Sequence, residues 1–216
     1  MNSPHVVLLD NHDSFVYNLV DALAGYRTTV YRNSVSVAEV LAAEPDIIVL
    51  SPGPGHPRDA GCMMELIDAT LGTIPILGVC LGFQALLEYH GGGVGPCGPV
   101  HGKSMPMTLT DAGTAHPVFA GLATDADPAQ PGVPGTQVPV ARYHSLGCTN
   151  VPADMRVLAE TEAEIGTIAM AAETDDGMAL GMQFHPESIL SPRGPDMLDR
   201  CIHRLSTHPT TELKHL

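Results

Sequence analysis

Up to residue 90 the chain alternates short apolar runs with amphipathic stretches. His5-Val6-Val7-Leu8-Leu9 is a β-type run that ends at Asp10. A polar turn, Asn11-His12-Asp13, follows. Asp13 or Ser14 can N-cap a helix whose apolar positions include Phe15, Val16, Leu19, Val20 and Leu23, with Gly25 as its stop. Residues 28–32 read as a second strand, 37–43 as a second helix and 46–50 as a third strand. That strand breaks at Ser51-Pro52-Gly53-Pro54-Gly55. A helix around 62–71 leads to a strand over 74–79, and a further helix begins at Cys80. Strands alternate with helices, and most of the strands are nearly uniformly apolar. That combination predicts an α/β fold with a mostly parallel central sheet covered by helices on both faces.

After Gly91 the period changes. Short β-like pieces at 106–109, 138–142, 156–159, 165–172 and 179–184 are separated by turn residues, which predicts an antiparallel extension. Residues 123–139 are rich in Pro, Gly and Asp and read as an exposed loop. A last helix over 197–205 carries Leu198, Cys201, Ile202 and Leu205 on one face. The expected organisation is one domain over residues 1–205 and a polar tail over 206–216. A length of 216 residues with 44% hydrophobic residues suits one domain with a full core.

The formal net charge is −14, and the only lysines are Lys103 and Lys214. So acidic a surface repels phosphate backbones, and nucleic acid is not an expected partner. No apolar run approaches the roughly 20 residues that span a bilayer, so a membrane partner is not expected either. The stretch MNSPHVVLLD lacks the basic start of a signal peptide, which predicts a cytoplasmic protein. Five scattered cysteines with no C-x-x-C argue against a disulfide framework or structural zinc and fit a reducing compartment. The eleven histidines show no metal-binding spacing; most are read as surface residues, and no metal site is expected.

Three stretches carry candidate chemistry. Gly78-Val79-Cys80-Leu81-Gly82 has the form G-x-C-x-G between a strand and a helix. Small residues two before and two after a nucleophile permit the tight turn that lifts it clear of the backbone. A helix N-terminus beside a cysteine favours the thiolate, and the Leu81 amide is a candidate oxyanion donor. Gln84 falls one helical turn after Cys80 and is a candidate substrate contact. The alternative is a core thiol at Cys80 and a helix-surface residue at Gln84. Gln183-Phe184-His185-Pro186-Glu187 supplies a candidate base at a strand end. Period-two geometry puts Glu187 on the same side as His185, where a carboxylate can orient the imidazole. Gly53, in the turn after the third strand, is a candidate second oxyanion donor, because backbone without a side chain can approach a ligand closely.

LSPGPG, GVCLGFQ and FHPES in this order and spacing resemble the class I glutamine amidotransferase family, across nearly the whole chain. LLDNHDSFVYNL, CGPVHGK, RYHSLG and FHPESILSPRG look more narrowly like the glutaminase subunits of anthranilate synthase. The glutaminases of aminodeoxychorismate synthase share much of this pattern. The resemblance implies a flavodoxin-like fold and a reaction in which Cys80 attacks the carboxamide of L-glutamine. His185 would shuttle protons, Glu187 would orient it, and the Gly53 and Leu81 amides would hold the oxyanion. Gly53, Pro54, Gly55, Leu81, Gln84, Ser145 and Leu146 would contact glutamine, the last pair through backbone groups at its α-amino and carboxylate end. The implied partner is anthranilate synthase component I, the chorismate-binding subunit. That partner would use the ammonia to make anthranilate for tryptophan synthesis. No cofactor is implied for this chain; the Mg²⁺ of such systems would sit in the partner. Two other functions stay open here: ammonia supply for aminodeoxychorismate in folate synthesis, and a catalytically inactive regulatory subunit. Phe83 stands where relatives often carry His, and a change of packing against the partner is expected there.

Overall fold

Val6 and Leu8 pack into one apolar layer, and Val7 and Leu9 into another. The same split recurs at Ile47 and Val49 against Ile48 and Leu50. A strand buried on both faces needs apolar residues at every position, which is what these runs supply. The structure, a computed structural model, describes residues 3–100 and 102–207. His101 of the CGPVHGK stretch and the tail from 208 onward lie outside the described residues.

Among the described residues, eleven strands and six helices follow in chain order. The first half holds β1 (His5–Asp10), α1 (Val16–Ala22), β2 (Arg27–Arg32), α2 (Val37–Leu41) and β3 (Ile47–Leu50). A 3-10 turn (Pro57–Asp59), α3 (Met63–Thr70), β4 (Ile76–Val79) and α4 (Leu81–Tyr89) complete it. The second half holds β5 (Val94–Pro96), β6 (Lys103–Leu109), α5 (Asp111–Ala115), β7 (Gln137–Arg142) and β8 (Leu146–Cys148). It ends with β9 (Met155–Ala163), β10 (Gly166–Thr174), β11 (Ala179–Met182) and α6 (Gly194–Ser206).

One sheet of nine strands runs in the order β2-β1-β3-β4-β11-β10-β9-β6-β7. Its first five strands are parallel. The antiparallel extension hydrogen-bonds directly onto β11 and continues the same sheet. A separate antiparallel pair, β5 and β8, carries residues 146–148 beside the main sheet. The order reverses at β1, whose neighbours are β2 and β3. In open parallel sheets the crevice beyond the strand carboxyl ends at such a reversal is where ligands bind. The carboxyl ends of β1, β3, β4 and β11 all lie at that edge and lead into Asn11, Ser51, Cys80 and Gln183.

Several expectations change. The first helix begins at Val16, with Phe15 at the cap and no side-chain cap bond, so neither Asp13 nor Ser14 is the N-cap. Residues 137–139 of the expected loop are strand: Val138 is fully buried, and the Asp125 carboxylate accepts from the Thr136 and Gln137 amides, both at 2.7 Å. His5, His116 and His144 are buried as well as His185, against the surface reading. Each has a polar partner: Thr29 for His5 at 2.8 Å, Glu173 for His116 at 3.4 Å, and a backbone carbonyl for His144. Phe83 is wholly buried, against Gly181 of β11, so it does not face a partner.

All five cysteines are free and buried. Among the described residues no helix is long and apolar enough to cross a membrane. Because Phe83 fills the layer between α4 and β11, Phe83→Ala should destabilise the fold by about 3–5 kcal/mol. Urea unfolding of the two proteins measures this, and a loss below about 1 kcal/mol would mean that the layer closes over the gap.

Candidate active site

Cys80 joins β4 to α4 with φ 51° and ψ −101°, a left-handed backbone that non-glycine residues seldom adopt. Its neighbours hold it there. The Cys80 amide donates to the Met182 carbonyl at 2.7 Å, and its own carbonyl accepts from Gln84 N at 3.0 Å. A Cβ at Gly78 would lie 2.6 Å from the Gly82 carbonyl oxygen, and one at Gly82 would overlap the Leu50 carbonyl. The two glycines of G-x-C-x-G are therefore required by the close approach of α4 to β4 and β3. Cys80 is 7% exposed and lines a cavity of about 420 Å³ at the carboxyl edge of the sheet.

Two residues beyond β11, the chain leaves the sheet and turns. The His185 amide donates to Ala141 O at 3.0 Å, and Ser191 Oγ donates to His185 O at 2.7 Å. His185 Nδ1 lies 2.7 Å from Glu187 Oε1. The expected pairing is present, but a turn produces it, since the strand ends at Met182. With Nδ1–H donated to the carboxylate, the other ring nitrogen is left for Cys80, whose sulfur and the His185 ring attract each other. Burial alone would lower the His185 pKa. Hydrogen bonds and charge attraction from Cys80 and Glu187 outweigh it and push the value up to about 11.

The remaining candidates fall into place around this pair. Gly53, Pro54, Gly55, Gln84, Ser145 and Leu146 line the same cavity as Cys80 and His185. Gly53 is required as glycine, because a Cβ would lie 2.5 Å from the Asn11 carbonyl oxygen. Asn11 in turn holds the start of that loop: its amide donates to Ser51 Oγ at 2.8 Å and its Nδ2 to Ser51 O at 2.9 Å. Leu81 is buried beside Gly53, so only its backbone is a candidate donor. Gln84 is a buried residue and not a helix-surface one. Its Nε2 donates to Leu146 O and to Gln183 Oε1, both at 3.2 Å.

Four neighbours of the pair were not legible as such. Phe15 and Tyr143 pack edge-on against the His185 ring, with centroids at 5.6 and 5.0 Å, and against each other at 5.1 Å. Gln183 is fully buried and points Nε2 at Cys80 Sγ from 3.7 Å. The Asp13 carboxylate lies within 4.8 Å of both His185 and Glu187. Burial raises the Asp13 pKa, and Glu187 adds to this while His185 opposes it. One oxygen each of Asp13 and Glu187 is buried without a hydrogen-bond partner. Two carboxyl groups bracketing one imidazole favour its cationic form. Spacing could not have revealed Asp13 or Tyr143, but the DSF and RYHS stretches do hold a polar-aromatic pattern unlike a plain helix start or strand end.

A cysteine on a strained turn, an imidazole beside it and a carboxylate behind that imidazole are the parts that nucleophilic catalysis requires. The cavity supplies backbone and carboxamide groups that suit a small polar amide. The family model for class-I glutamine amidotransferases matches residues 7–205. Anthranilate synthase component 2 of Corynebacterium glutamicum is 63% identical over 203 residues, covering 93% of this chain and 98% of the relative. The protein of the same name from Halobacterium salinarum is 38% identical, covering 94% of this chain and all of the relative. A Thermoplasma acidophilum protein assigned to GMP synthase superimposes with a TM-score of 0.76 at 20% identity, covering 96% of each chain, and shares the fold.

Protonation of the two site histidines acts on stability in opposite directions. The folded pKa of His185 lies above its unfolded value near 6.5, so its contribution is complete below 6.5 and is lost as pH rises through about 11. His144 is held down at about 4, chiefly by burial and then by Arg142, so its contribution is complete above 6.5 and is lost as pH falls through about 4. The melting-temperature advantage of wild type over His185→Gln should therefore shrink on the alkaline side. The advantage over His144→Phe should shrink on the acid side. Melting curves across that range measure both, and parallel curves would contradict these assignments.

Proposed function

The chain belongs to the class-I glutamine amidotransferase family, and from that premise we propose that it is the glutaminase subunit of an anthranilate synthase. The observation that carries the reading is the strained Cys80 sharing one cavity with His185, which Glu187 holds at 2.7 Å. Both relatives described above carry the component 2 name, which favours anthranilate over the folate product. An intact nucleophile, base and orienter speak against an inactive regulatory subunit.

L-Glutamine enters the cavity with its carboxamide at Cys80 and its amino-acid end toward Ser145 and Leu146. The sulfur attacks the carboxamide carbon, and the Gly53 and Leu81 amides hold the oxyanion. His185 gives its proton to the departing nitrogen, the C–N bond breaks, and ammonia leaves a glutamyl thioester. Water, deprotonated by His185, then attacks the thioester, releasing glutamate and restoring the thiol. Glutamine and water thus become glutamate and ammonia. Glu187 keeps the imidazole in the tautomer that this shuttle needs. Gly53, Pro54, Gly55 and Gln84 would form the rest of the glutamine wall.

Ammonia passes to a chorismate-binding component I subunit, which makes anthranilate and would hold the Mg²⁺. This chain needs no cofactor of its own in the reaction. The docking face suggested by exposure lies beside the triad. Ile189, two residues after Glu187, is 94% exposed, and Tyr17 on α1 is 77% exposed. An exposed large apolar side chain two residues from the orienting carboxylate suits a surface that a partner covers. Five free thiols suit a reducing cytoplasm.

Mixed with its synthase partner, the Cys80→Ala protein should lose glutamine-dependent anthranilate formation by at least about 10³-fold while ammonium-dependent formation persists. Product fluorescence reads both, and glutamine-dependent activity surviving in the variant would remove Cys80 from the role. Ile189→Asp should weaken association with that partner by about tenfold or more, measured by titration calorimetry. Unchanged affinity would move the interface elsewhere.

A further inference from the structure

Arg142, at the end of β7, is 2% exposed. Among the described residues it makes no ion pair. A buried guanidinium without a carboxylate is costly, so its place calls for a reason. Its Nε is 3.3 Å from His144 Nε2. Arginine can only donate, so Nε2 is the acceptor and the imidazole proton sits on Nδ1. Nδ1 lies 2.9 Å from the Leu146 carbonyl oxygen and donates to it. Burial and the adjacent Arg142 keep His144 neutral, as this arrangement requires.

The Leu146 carbonyl also accepts from Gln84 Nε2 at 3.2 Å. Both of its lone-pair directions are thus occupied by buried side chains. The preceding carbonyl, of Ser145, is held by the Cys97 amide at 2.8 Å. The backbone of residues 145 and 146 is therefore fixed by hydrogen bonds from Gln84, His144 and the Cys97 amide. Gln84 continues the chain of bonds to Gln183 Oε1 at 3.2 Å, and Gln183 Nε2 faces Cys80 Sγ. One connected network spans the cavity wall at 145–146 and the nucleophile. Arg142 places a positive charge behind the wall that a carboxylate would face.

We propose that Arg142 and His144 are positioning residues that set the Ser145–Leu146 backbone and so make the site selective for amides bearing an α-amino-acid end. The inference rests on the glutaminase reading and adds to it the origin of substrate selectivity. Neither residue touches the reacting atoms. Their removal therefore affects recognition of the amino-acid end more than reactivity of the thiol.

Two thiol probes separate these effects on the full chain. 6-Diazo-5-oxo-L-norleucine carries the amino-acid end, and iodoacetamide does not. Mass spectrometry of the Cys80 peptide gives each labelling rate, and a melting curve accompanies each variant. In His144→Phe and Arg142→Met the ratio of diazoketone to iodoacetamide labelling should fall about tenfold, the size of one lost hydrogen bond. His144→Asn keeps a donor near the Nδ1 position and should recover most of the ratio. With glutamine and the synthase partner, KM should rise more than kcat falls. A ratio unchanged in His144→Phe, or both probes slowed in proportion, overturns the proposal. So does an Asn variant no better than the Phe variant. Wild-type Cys80 that shows no selective diazoketone labelling would instead overturn the glutaminase reading itself.

Discussion

The site depends on the left-handed backbone at Cys80. Holding a non-glycine residue there costs about 1–3 kcal/mol, which the surrounding structure must supply. It does so through contacts that leave little freedom. The amide is bonded to Met182 on β11, and α4 lies so close to β4 and β3 that only glycine fits at 78 and 82. Phe83 then closes the layer over β11. The turn that exposes the sulfur and the packing of the sheet's centre are one arrangement. Relieving the strain at Cys80 would mean separating α4 from the strands beneath it.

Charge is organised around that point in a chain whose net charge is strongly negative. His185 sits between Glu187 and Asp13, and both carboxyl groups keep one buried oxygen unpaired. A dry, acidic surrounding holds the imidazole as a cation and leaves it a bonding direction toward sulfur. Phe15 and Tyr143 shut the ring in from the sides, which restricts water. Next to Tyr143 the pattern inverts, with a buried arginine at 142 and a neutral histidine at 144 beside residues 145 and 146. Carboxyl groups at His185 and a cation near residues 145 and 146 give the cavity a polarity that an amino-acid amide can align with.

Cys80, His185 and Glu187 were legible because each lies in a local pattern with a steric or electrostatic reason. G-x-C-x-G encodes a turn, and H-P-E encodes a pair two residues apart. The alternating apolar faces of β1 and β3 likewise made the parallel half of the sheet readable. Asp13 was not legible, since a polar residue before an apolar stretch reads as a cap. What diverts it is the distant His185. Tyr143 and Gln183 owe their roles to residues about forty to a hundred positions away, which periodicity does not register. His144 bonds to Arg142 and Leu146, two residues away on either side, but that spacing by itself does not single out a hydrogen-bonded histidine. β5 and β8 have three residues each, too few for alternation to show. Residues 137–139 were drawn into the loop by their composition, whereas pairing with β6 and the Asp125 carboxylate decides their state.

The pairing of β4 with β11 has a further consequence. Met182 receives the Cys80 amide and is also the last residue of the strand that delivers His185. The separation of Cys80 and His185 is thus inherited from one parallel strand pair inside the sheet. The segments 11–15, 51–55 and 143–146, which contribute most of the remaining wall, reach the cavity from other strand ends. They are not independent inserts, since Asn11 holds the 51–55 turn and Phe15 and Tyr143 both pack on His185. The sheet sets where sulfur and imidazole stand, and the interlocked segments set what can lie between them. A change of cavity lining therefore has to be made in several segments at once.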